Sequence, residues 1–332
     1  MTVFDSAVTT EQVVTAFATQ VRGRVFVITG AGQPSIGSSI ATALAKASPA
    51  HILIASRTAA NASPVLAAIR EIDPSVQTTF VAVDLSDHDS VRRAAQEILA
   101  VTGSKIDVLI NSAGNMAVKE YTLDKQGIEM QFSVNHIGHF LLTNLLAPAL
   151  LAGAESPHGA RVVNLTSAGY QISPVRYDDP GFSGGKAYDP WSGYGQGKTA
   201  QILFANGLTD RLQRRGVVAF ACHPGSNLDT KLGAHLGMED YASITPVTKR
   251  NTGGDFAFTV GDEPRFKSYA QIGATPLIAA LDPDLAACAG PAYLQNGRVV
   301  QPMAAHAYGA EHVERCWTLS ERLVGQRFEY GD

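Results

Sequence analysis

The sequence predicts an α/β fold in which a doubly wound parallel sheet is flanked by helices. Short apolar runs rich in β-branched residues alternate with helical patterns over most of the 332 residues. This alternation is typical of parallel strands joined by right-handed crossovers. The first run ends in a glycine turn, and later runs end in small or polar residues. Ligands bind at that edge of parallel α/β sheets.

Composition and charge narrow the class of protein. The chain is 45% apolar and 17% charged, with a formal net charge of −4. These values fit a globular domain and give no reason to expect nucleic acid as a partner. Cys222, Cys288 and Cys316 are too few and too far apart for a disulfide framework or a zinc site. Since neither a secretory signal nor a membrane-spanning stretch is visible, we expect a cytoplasmic protein.

The first strand and its turn form a candidate phosphate site. Residues 24–29 are apolar enough for a strand that is buried on both faces, and an alanine-rich helix begins at about Ile36. Between them, Gly30, Gly32 and Gly37 let the backbone approach a diphosphate, and the free N–H groups of the helix point toward it. The spacing G-x-G-x-x-x-x-G departs from the G-x-G-x-x-G pattern.

The second strand, over residues 51–55, is followed by Ser56, Arg57 and Thr58. A site for NAD usually has an acidic residue here, about 20 residues beyond the glycines, to bind the ribose 2′-hydroxyl. Arg57 occupies that place and is suited to pair with a 2′-phosphate. The alternative is a solvated arginine at the end of a strand.

The third and fourth strands, over 78–83 and 106–110, also end in candidate ligand residues. Asp84 follows the third strand, where its carboxylate is suited to an adenine amino group or to capping the next helix. The fourth strand leads into Asn111-Ser-Ala-Gly114, whose small residues indicate close approach of a ligand. Helices are predicted over 59–71 and 90–100.

The next predicted helix contains Asn135, His136 and His139. The two histidines are three residues apart, but no third ligand is evident, so we expect packing or surface roles for them and no metal. Asn135 is polar, lies in the middle of the helix and precedes an apolar run that belongs to the core.

The fifth strand, over 161–166, delivers Ser167, and a long helix over 191–214 contains Tyr194 and Lys198. Residues four apart share one face of a helix, and an ammonium beside a phenol favours the phenolate, which suits general acid–base catalysis. Taken alone, such a pair is more typical of an ordinary helix. Between Ser167 and Tyr194 lies a loop with several aromatic residues, which either line a substrate pocket or anchor the loop.

The last part of the chain is less regular. A sixth strand over 217–222 leads into Pro224-Gly225, and residues 226–267 show no clear period. Loops of that length are usually functional or mobile. A helix from Pro276, a strand over 292–300 and a helix over 312–324 complete the expected fold.

Taken in order, these motifs resemble the short-chain dehydrogenase/reductase family. The closer likeness, carried by Gln131–Phe140 and Tyr194-Gly-Gln-Gly-Lys198, is to the longer fungal and retinol-dehydrogenase-like members. The resemblance implies one Rossmann-type domain over 1–332, with 1–22 as an N-terminal extension and with 169–191 and 226–270 as substrate-side loops.

The family's chemistry is hydride transfer between nicotinamide and a carbonyl or alcohol carbon. The resemblance implies that Tyr194 is the general acid and base and that Ser167 holds the substrate oxygen. Lys198 would bind the nicotinamide ribose and lower the pKa of Tyr194, while Asn135 would fix a water that links Lys198 to solvent. Arg57 favours NADPH over NADH. The implied cofactor contacts are Thr29, Gly30, Ser35, Ile36, Gly37, Arg57, Asp84, Leu85, Asn111, Ala113, Gly114, Tyr194, Lys198, Pro224 and Gly225.

The sequence departs from the family pattern in two places. The glycine turn is one residue longer than usual, with Ser35 in place of the middle glycine, and Ser112 replaces the second asparagine of an Asn-Asn pair. Aromatic residues in the substrate-side loops favour an apolar or aromatic small-molecule substrate. The identity of the substrate, the direction of reaction and the pathway are open, and a homo-oligomer is compatible with the sequence.

Three other functions compete with the dehydrogenase. Gly181-Phe-Ser183-Gly-Gly185 matches the G-x-S-x-G pattern of serine hydrolases, but it lacks the preceding strand and following helix of a nucleophile elbow. A lyase or epimerase with a tightly held cofactor is a second alternative. A cofactor-binding sensor or scaffold is a third, although binding alone does not need Ser167, Tyr194 and Lys198 together.

Overall fold

A computed structural model of the chain describes residues 4–257, 264–287 and 293–330. Cys288, residue 292 of the expected strand and residues 258–263 of the expected substrate-side loop lie outside these ranges. Within the described residues, one sheet of eight strands forms the centre of the fold, in the order β3-β2-β1-β4-β5-β6-β7-β8. The strands are β1 Val25–Thr29, β2 His51–Ser56, β3 Gln77–Ala82, β4 Val108–Asn111, β5 Ala160–Leu165, β6 Val217–His223, β7 Tyr293–Gln295 and β8 Arg298–Val299.

Seven of these strands run parallel, and only β8 pairs antiparallel, with β7. The central strands are buried on both faces: Phe26, Val27 and Ile28 of β1 have no exposed surface. Burial on both faces explains why these strands appear in the sequence as continuous apolar runs. The predicted doubly wound parallel sheet is confirmed.

Helices cover both faces of the sheet. One layer contains α1, α2, α3 and α12, and the other contains α4, α6, α8 and α13. The helices are α1 Thr10–Ala16, α2 Ile36–Ala45, α3 Ala59–Ile72, α4 His88–Val101, α5 Met130–Phe132, α6 Gly138–Leu145, α7 Ala147–Ala154, α8 Pro190–Leu212, α9 Met238–Ala242, α10 Ile244–Thr252, α11 Tyr269–Ile272, α12 Ala274–Leu281 and α13 Ala310–Val324.

Helix α8 carries the Tyr194–Lys198 pair and is almost wholly buried. Asp189 caps it by accepting hydrogen bonds from the N–H groups of Trp191 and Ser192, and Pro190 occupies its first turn. One face of α8 packs against β5 and β6, and α13 covers another. Because both sides of the helix are held, its side chains at the sheet edge have fixed positions.

The structure corrects several boundaries. Helix α4 begins at His88 with Asp87 as its cap, so Asp84 does not cap it. The helix that contains Asn135 is interrupted by a π-helical turn, Ser133–Ile137. The expected strand over 292–300 is a hairpin in which Asn296 and Gly297 have φ angles of 51° and 71°. An Asn-Gly pair favours such a turn.

The segment after β6 also differs from the prediction. Residues 226–257 were expected to be irregular, yet they contain α9 and α10. Both helices are short, and α10 buries only Ile244, Val247 and Thr248. So few apolar positions do not establish a helical period in the sequence.

Across the described residues, no helix alone is long and apolar enough to cross a membrane, although one bent pair, Met130–Leu145 with Ala147–Ala154, meets both criteria together.

Candidate active site

The predicted site residues gather at the carboxyl ends of the parallel strands. Thr29 ends β1 and Asn111 ends β4, while Ser167 lies two residues after β5 and Pro224 directly follows β6. Strands β1, β4, β5 and β6 are neighbours in the sheet. The fold therefore brings the turns after four separate strands to one edge.

The glycine turn after β1 is closely packed. A Cβ atom on Gly30 would lie 2.6 Å from the Cα of Ala113, and one on Gly37 would lie 2.9 Å from the Cα of Ala31. Gly30 also has a φ angle of 68°, in the region that favours glycine. The turn thus presents bare backbone beside the loop that follows β4.

Ser35 caps the helix that follows this turn. Its Oγ accepts a hydrogen bond of 3.0 Å from the N–H of Ser38, and the Oγ of Ser38 accepts one from the N–H of Ser35. The N–H groups of Ile36 and Gly37, in the first turn of α2, have no acceptor within the helix. Although Ser35 replaces a glycine, a helix N-terminus with free N–H groups is retained, and this fits a diphosphate.

Thr29 connects the turn with the rest of the site. Its Oγ1 accepts hydrogen bonds from the N–H groups of Ser112 at 2.9 Å and Ala113 at 3.1 Å, and it lies 2.9 Å from Nε2 of His139. With both its acceptor positions filled, the hydroxyl donates to Nε2. His139 then carries its proton on Nδ1, 3.2 Å from the carbonyl of Asn135.

Both histidines of the 136/139 pair are buried. Burial lowers the pKa of His139 to about 4 and that of His136 to about 3, which keeps both rings neutral. His136 Nε2 lies 2.7 Å from the hydroxyl of Ser320 on α13. Nowhere in the described chain do three or more His, Cys, Asp or Glu side chains form a group that could hold a metal ion.

Arg57 lies at the carboxyl end of β2, next to the glycine turn. Its side chain is exposed and makes no ion pair or hydrogen bond within the described residues. Gly32 of the turn approaches Asn61, four residues after Arg57. The arginine is therefore beside the turn and available to a ligand.

Asp84 and Leu85 follow β3 and differ in exposure. One carboxylate oxygen of Asp84 accepts hydrogen bonds from the N–H and the hydroxyl of Ser86, at 3.0 and 2.6 Å. Leu85 is buried, and its carbonyl lies so close to Gly138 that a Cβ there would be 2.3 Å away. Through Leu85, the segment after β3 packs closely against Gly138, in the helix that follows Asn135.

The loop after β4 is held by two asparagines in different ways. Asn111 turns its side chain into the core, where Nδ2 donates to Thr143 Oγ1 at 3.0 Å and to Asn164 Oδ1 at 2.8 Å. Asn135 holds the main chain of Asn115: its Oδ1 accepts from the N–H at 2.9 Å and its Nδ2 donates to the carbonyl at 3.1 Å. The water that Asn135 was expected to hold stays a prediction.

Tyr194 lies beside Ser167 in an apolar setting. It is 4% exposed. Burial raises the pKa of Tyr194 to about 12, and a hydrogen bond with the Ser167 side chain partly opposes this. Ser167 Oγ also accepts from the N–H of Gly169 at 3.1 Å. A Cβ on Gly169 would lie 2.5 Å from the Tyr194 ring, so only glycine leaves room for the ring.

Lys198 is buried on the same helix. Its Nζ lies 5.6 Å from the centre of the Tyr194 ring and donates to the carbonyl of Leu165 at 2.9 Å and to Oε1 of Gln201 at 3.0 Å. Burial lowers the pKa of Lys198 to about 7. Lys198 is not among the groups that shift the pKa of Tyr194 here, so the lowering of that pKa by Lys198 stays a prediction.

A small apolar cluster, separate from the main core, surrounds Tyr194. Trp191 packs edge-on against Tyr194 and donates through Nε1 to the carbonyl of Asp240 at 2.8 Å. This bond joins α9 to the start of α8. The members of the cluster are Ala117, Ile172, Trp191, Tyr194, Ile244 and Val247, with Met116, Leu236 and Phe256 packed against them.

Two further residues near the site, Lys267 and Gln201, were not predicted from the sequence. Gly225 has a φ angle of 100°, and Lys267 packs so closely that a Cβ on Gly225 would lie 2.7 Å from Lys267 Cδ. Lys267 is 4% exposed and donates from Nζ to Oδ1 of Asn296 at 3.0 Å. A lone lysine in an aperiodic stretch gives no signal. Gln201, by contrast, is three residues after Lys198, a spacing that places both on one helix face.

Gly181-Phe-Ser183-Gly-Gly185 forms a series of turns without a strand before it. Phe182 and Ser183 both have positive φ angles, of 54° and 53°. The segment therefore lacks the strand-to-helix geometry of a nucleophile elbow.

Comparisons with known proteins agree with this geometry. A family model described as short chain dehydrogenase matches residues 24–239. Retinol dehydrogenase 12 of Mus musculus is 34% identical over 93% of this chain and 89% of its own length. A solved structure from Mycobacterium paratuberculosis is 28% identical, with a TM-score of 0.62, and the match covers 93% of this chain and 96% of that one.

A second solved structure resembles the chain in fold. The 3-oxoacyl-[acyl-carrier protein] reductase of Brucella melitensis, in complex with NAD, is 22% identical with a TM-score of 0.58. The match covers 80% of this chain and 92% of the reductase.

Proposed function

The chain belongs to the short-chain dehydrogenase/reductase family of NAD(P)-dependent oxidoreductases, and from this premise we propose that it transfers hydride between NADPH and a carbonyl or alcohol carbon of an apolar substrate. The observation that carries the proposal is the position of Tyr194 beside Ser167, with Lys198 one turn away, at the ligand edge of the sheet.

Tyr194 and Ser167 act on the substrate oxygen. A bound nicotinamide supplies the hydride in reduction and accepts it in oxidation. In reduction, the Tyr194 phenol gives its proton to the carbonyl oxygen, which Ser167 Oγ holds in place. With a pKa of about 12, the phenol is protonated at neutral pH, as a general acid must be. The hydrogen bond between Ser167 and the phenol keeps the two groups directed at one atom.

Lys198 binds and orients the cofactor and does not itself react. Two of its three ammonium protons are held by Leu165 and Gln201, which leaves one for a ribose hydroxyl of the cofactor. Asn135 fixes the loop after β4 through Asn115 and thereby shapes the floor of the nicotinamide site. A cationic Lys198 also favours the phenolate that remains after Tyr194 has given up its proton.

The substrate side favours an apolar or aromatic carbonyl compound. Trp191, Ile172, Ile244 and Val247 surround Tyr194, and the cluster contains no charged side chain. A charged substrate group placed against this cluster would lose its hydration without a partner. Small apolar ketones, aldehydes and their alcohols are therefore the substrates to test first.

Arg57 supports the choice of NADPH. It lies beside the glycine turn, is exposed, and has no acidic partner within the described residues. A 2′-phosphate carries nearly two negative charges and suits the planar donors of a guanidinium.

The test begins with binding and then proceeds to turnover. NADPH and NADH are titrated separately against the protein, and a panel of apolar ketones, aldehydes and alcohols is then screened by the absorbance of the reduced nicotinamide. We expect tighter binding of NADPH and turnover that the Tyr194→Phe variant lacks. Binding without turnover of any substrate would indicate a cofactor-binding protein, and equal affinity for both cofactors would refute the role of Arg57.

A further inference from the structure

Gln201 lies on α8, three residues after Lys198, and takes no part in the proposed proton transfer. The side chain is 1% exposed. Its Oε1 accepts a hydrogen bond of 3.0 Å from Lys198 Nζ, whose other protein acceptor is the carbonyl of Leu165. An ammonium carries three donors and no acceptor, so the oxygen of the Gln201 amide must face it. Gln201 is thus the one side chain that hydrogen-bonds to Lys198 within the described residues.

The other end of the Gln201 amide shows why a glutamine at this position needs an explanation. Nε2 is buried and has no hydrogen-bond partner within the described part of the chain. A buried donor without a partner destabilises a fold, and methionine would fill the same space without that cost. The benefit of glutamine must therefore come from the oxygen that faces Lys198.

We propose that Gln201 is a positioning residue that holds the Lys198 ammonium in its charged form at the ligand edge of the sheet. The proposal depends on the proposed function only in taking the cofactor as the ligand of this ammonium. Without Oε1, a single carbonyl would remain to compensate the desolvation of a buried cation. The charged form would then be less favourable, and the flexible lysine side chain would be free to turn away from the cofactor.

Few other charges act on this ammonium. Burial is the cause of the lowered pKa of Lys198, and no carboxylate contributes to it. His139 from α6 faces Lys198 and is neutral, while Tyr194 lies on the same helix with its ring 5.6 Å away. The Gln201 amide is therefore the polar side chain whose replacement changes the charge state of Lys198 most directly.

The test measures the pKa of Lys198 without any cofactor. Protein labelled with ¹³C at the lysine Cε is titrated by NMR, and the signal of Lys198 is assigned by its loss in Lys198→Met. Gln201→Met, which keeps the shape and removes the acceptor, should lower the pKa by about 1, and Gln201→Glu should raise it by at least as much. Gln201→Asn, too short to reach, replaces Gln201→Met if that variant does not fold.

Gln196 provides a matched control earlier on the same helix. It is also fully buried, but its amide bonds the N–H of Arg176 at 3.0 Å and the carbonyl of Pro180 at 3.1 Å. Gln196→Met should leave the pKa of Lys198 unchanged. If Gln201→Met also leaves it unchanged, the proposal is wrong.

A second measurement connects Gln201 with the cofactor. The dissociation constant of NADPH is followed over pH by tryptophan fluorescence, without substrate. The pH above which affinity falls should be lower in Gln201→Met and higher in Gln201→Glu than in the parent protein. If the parent does not bind NADPH, the proposed function fails, whereas the lysine titration still decides the role of Gln201.

Discussion

Lys198 and Arg57, the two cations proposed to hold the cofactor, lie in opposite surroundings. Lys198 is 5% exposed and bonded to Leu165 and Gln201. Arg57 is exposed and has no ion pair or hydrogen bond within the described residues. At the reacting end, burial changes the pKa values of Tyr194 and Lys198. At the proposed adenine end, Arg57 is exposed, and we expect it to stay solvated until a 2′-phosphate binds.

The difference reflects two tasks. Proton transfer needs groups held in one geometry, and enzymes accept the cost of burying them. Recognition of a 2′-phosphate needs charge and reach, which an exposed arginine supplies. Substitutions at the reacting end should therefore change rates, pH profiles and stability, whereas substitutions at the adenine end should change cofactor choice alone.

The largest effect is expected at Tyr194. Tyr194→Phe keeps the ring in its cluster but removes the transferable proton, so kcat should fall by at least about 10²-fold. The Kd for NADPH, measured by titration, should change little. A variant that retains most of its turnover would exclude Tyr194 as the acid.

The next effect concerns Arg57. A charge-assisted contact with the 2′-phosphate should favour NADPH by about ten- to a hundredfold. Arg57→Asp should reverse this preference, because it repels the phosphate and offers an acceptor to a free 2′-hydroxyl. The ratio of the two dissociation constants checks the prediction, with Arg70→Asp, on α3, as a control for added negative charge. If Arg57→Asp still prefers NADPH, Thr58 is the first neighbour to test.

Lys198 should also affect stability in a pH-dependent way. Because its pKa falls from 10.5 to about 7 on burial, the unfolded chain binds more protons than the folded one between those values. The ionisation of Lys198 therefore makes the free energy of unfolding increase with pH above about 7, by about 1.4 kcal/mol per pH unit. This contribution to stability is lost as the pH falls toward 7. Thermal unfolding of the parent relative to Lys198→Met should show this slope from pH 7 to 9. Parallel curves would contradict the buried, depressed lysine.

The smallest effect is expected in the apolar cluster. Trp191→Phe keeps an aromatic ring beside Tyr194 and removes the hydrogen bond to the Asp240 carbonyl. Loosening α9 in this way should raise KM for an apolar substrate several-fold, while the Kd for NADPH stays constant. A change in cofactor affinity as large as the change in KM would mean that the cluster does not belong to the substrate side alone.

The contrast between buried and exposed residues also explains which parts of the structure could be predicted from the sequence. The strands β1 to β6 were placed within one or two residues. Burial on both faces makes the central strands continuous apolar runs, whereas β3, at the edge of the sheet, is partly exposed. Motif and spacing predicted Tyr194, Ser167 and Lys198 as site residues, and the fold brings them to one edge of the sheet, while their roles stay a prediction. What the sequence could not show was how burial changes them. The Tyr194 ring packs against Ile172, Ile244 and Val247, which are distant in the chain, and the Lys198 ammonium is buried against Leu165 and Gln201.

Two other failures have local causes. The Asn296-Gly297 turn was a readable signal, but the strands on either side have three and two residues, too short for an alternating pattern. The Asp87 cap was not predicted because three aspartates, Asp84, Asp87 and Asp89, lie just before α4 or in its first turn. Aspartate is a favoured N-cap, so residue type alone does not distinguish between them.

The hairpin that ends the sheet also has a consequence for self-association. An unpaired edge strand can template pairing with another chain, and short edge strands are one way in which proteins avoid aggregation. On this side the edge is β8, Arg298–Val299, whose arginine is exposed. A strand of two residues, one of which is an exposed arginine, is a poor template for a further strand. Edge-to-edge aggregation of this protein should therefore begin at β3, the longer strand on the opposite edge.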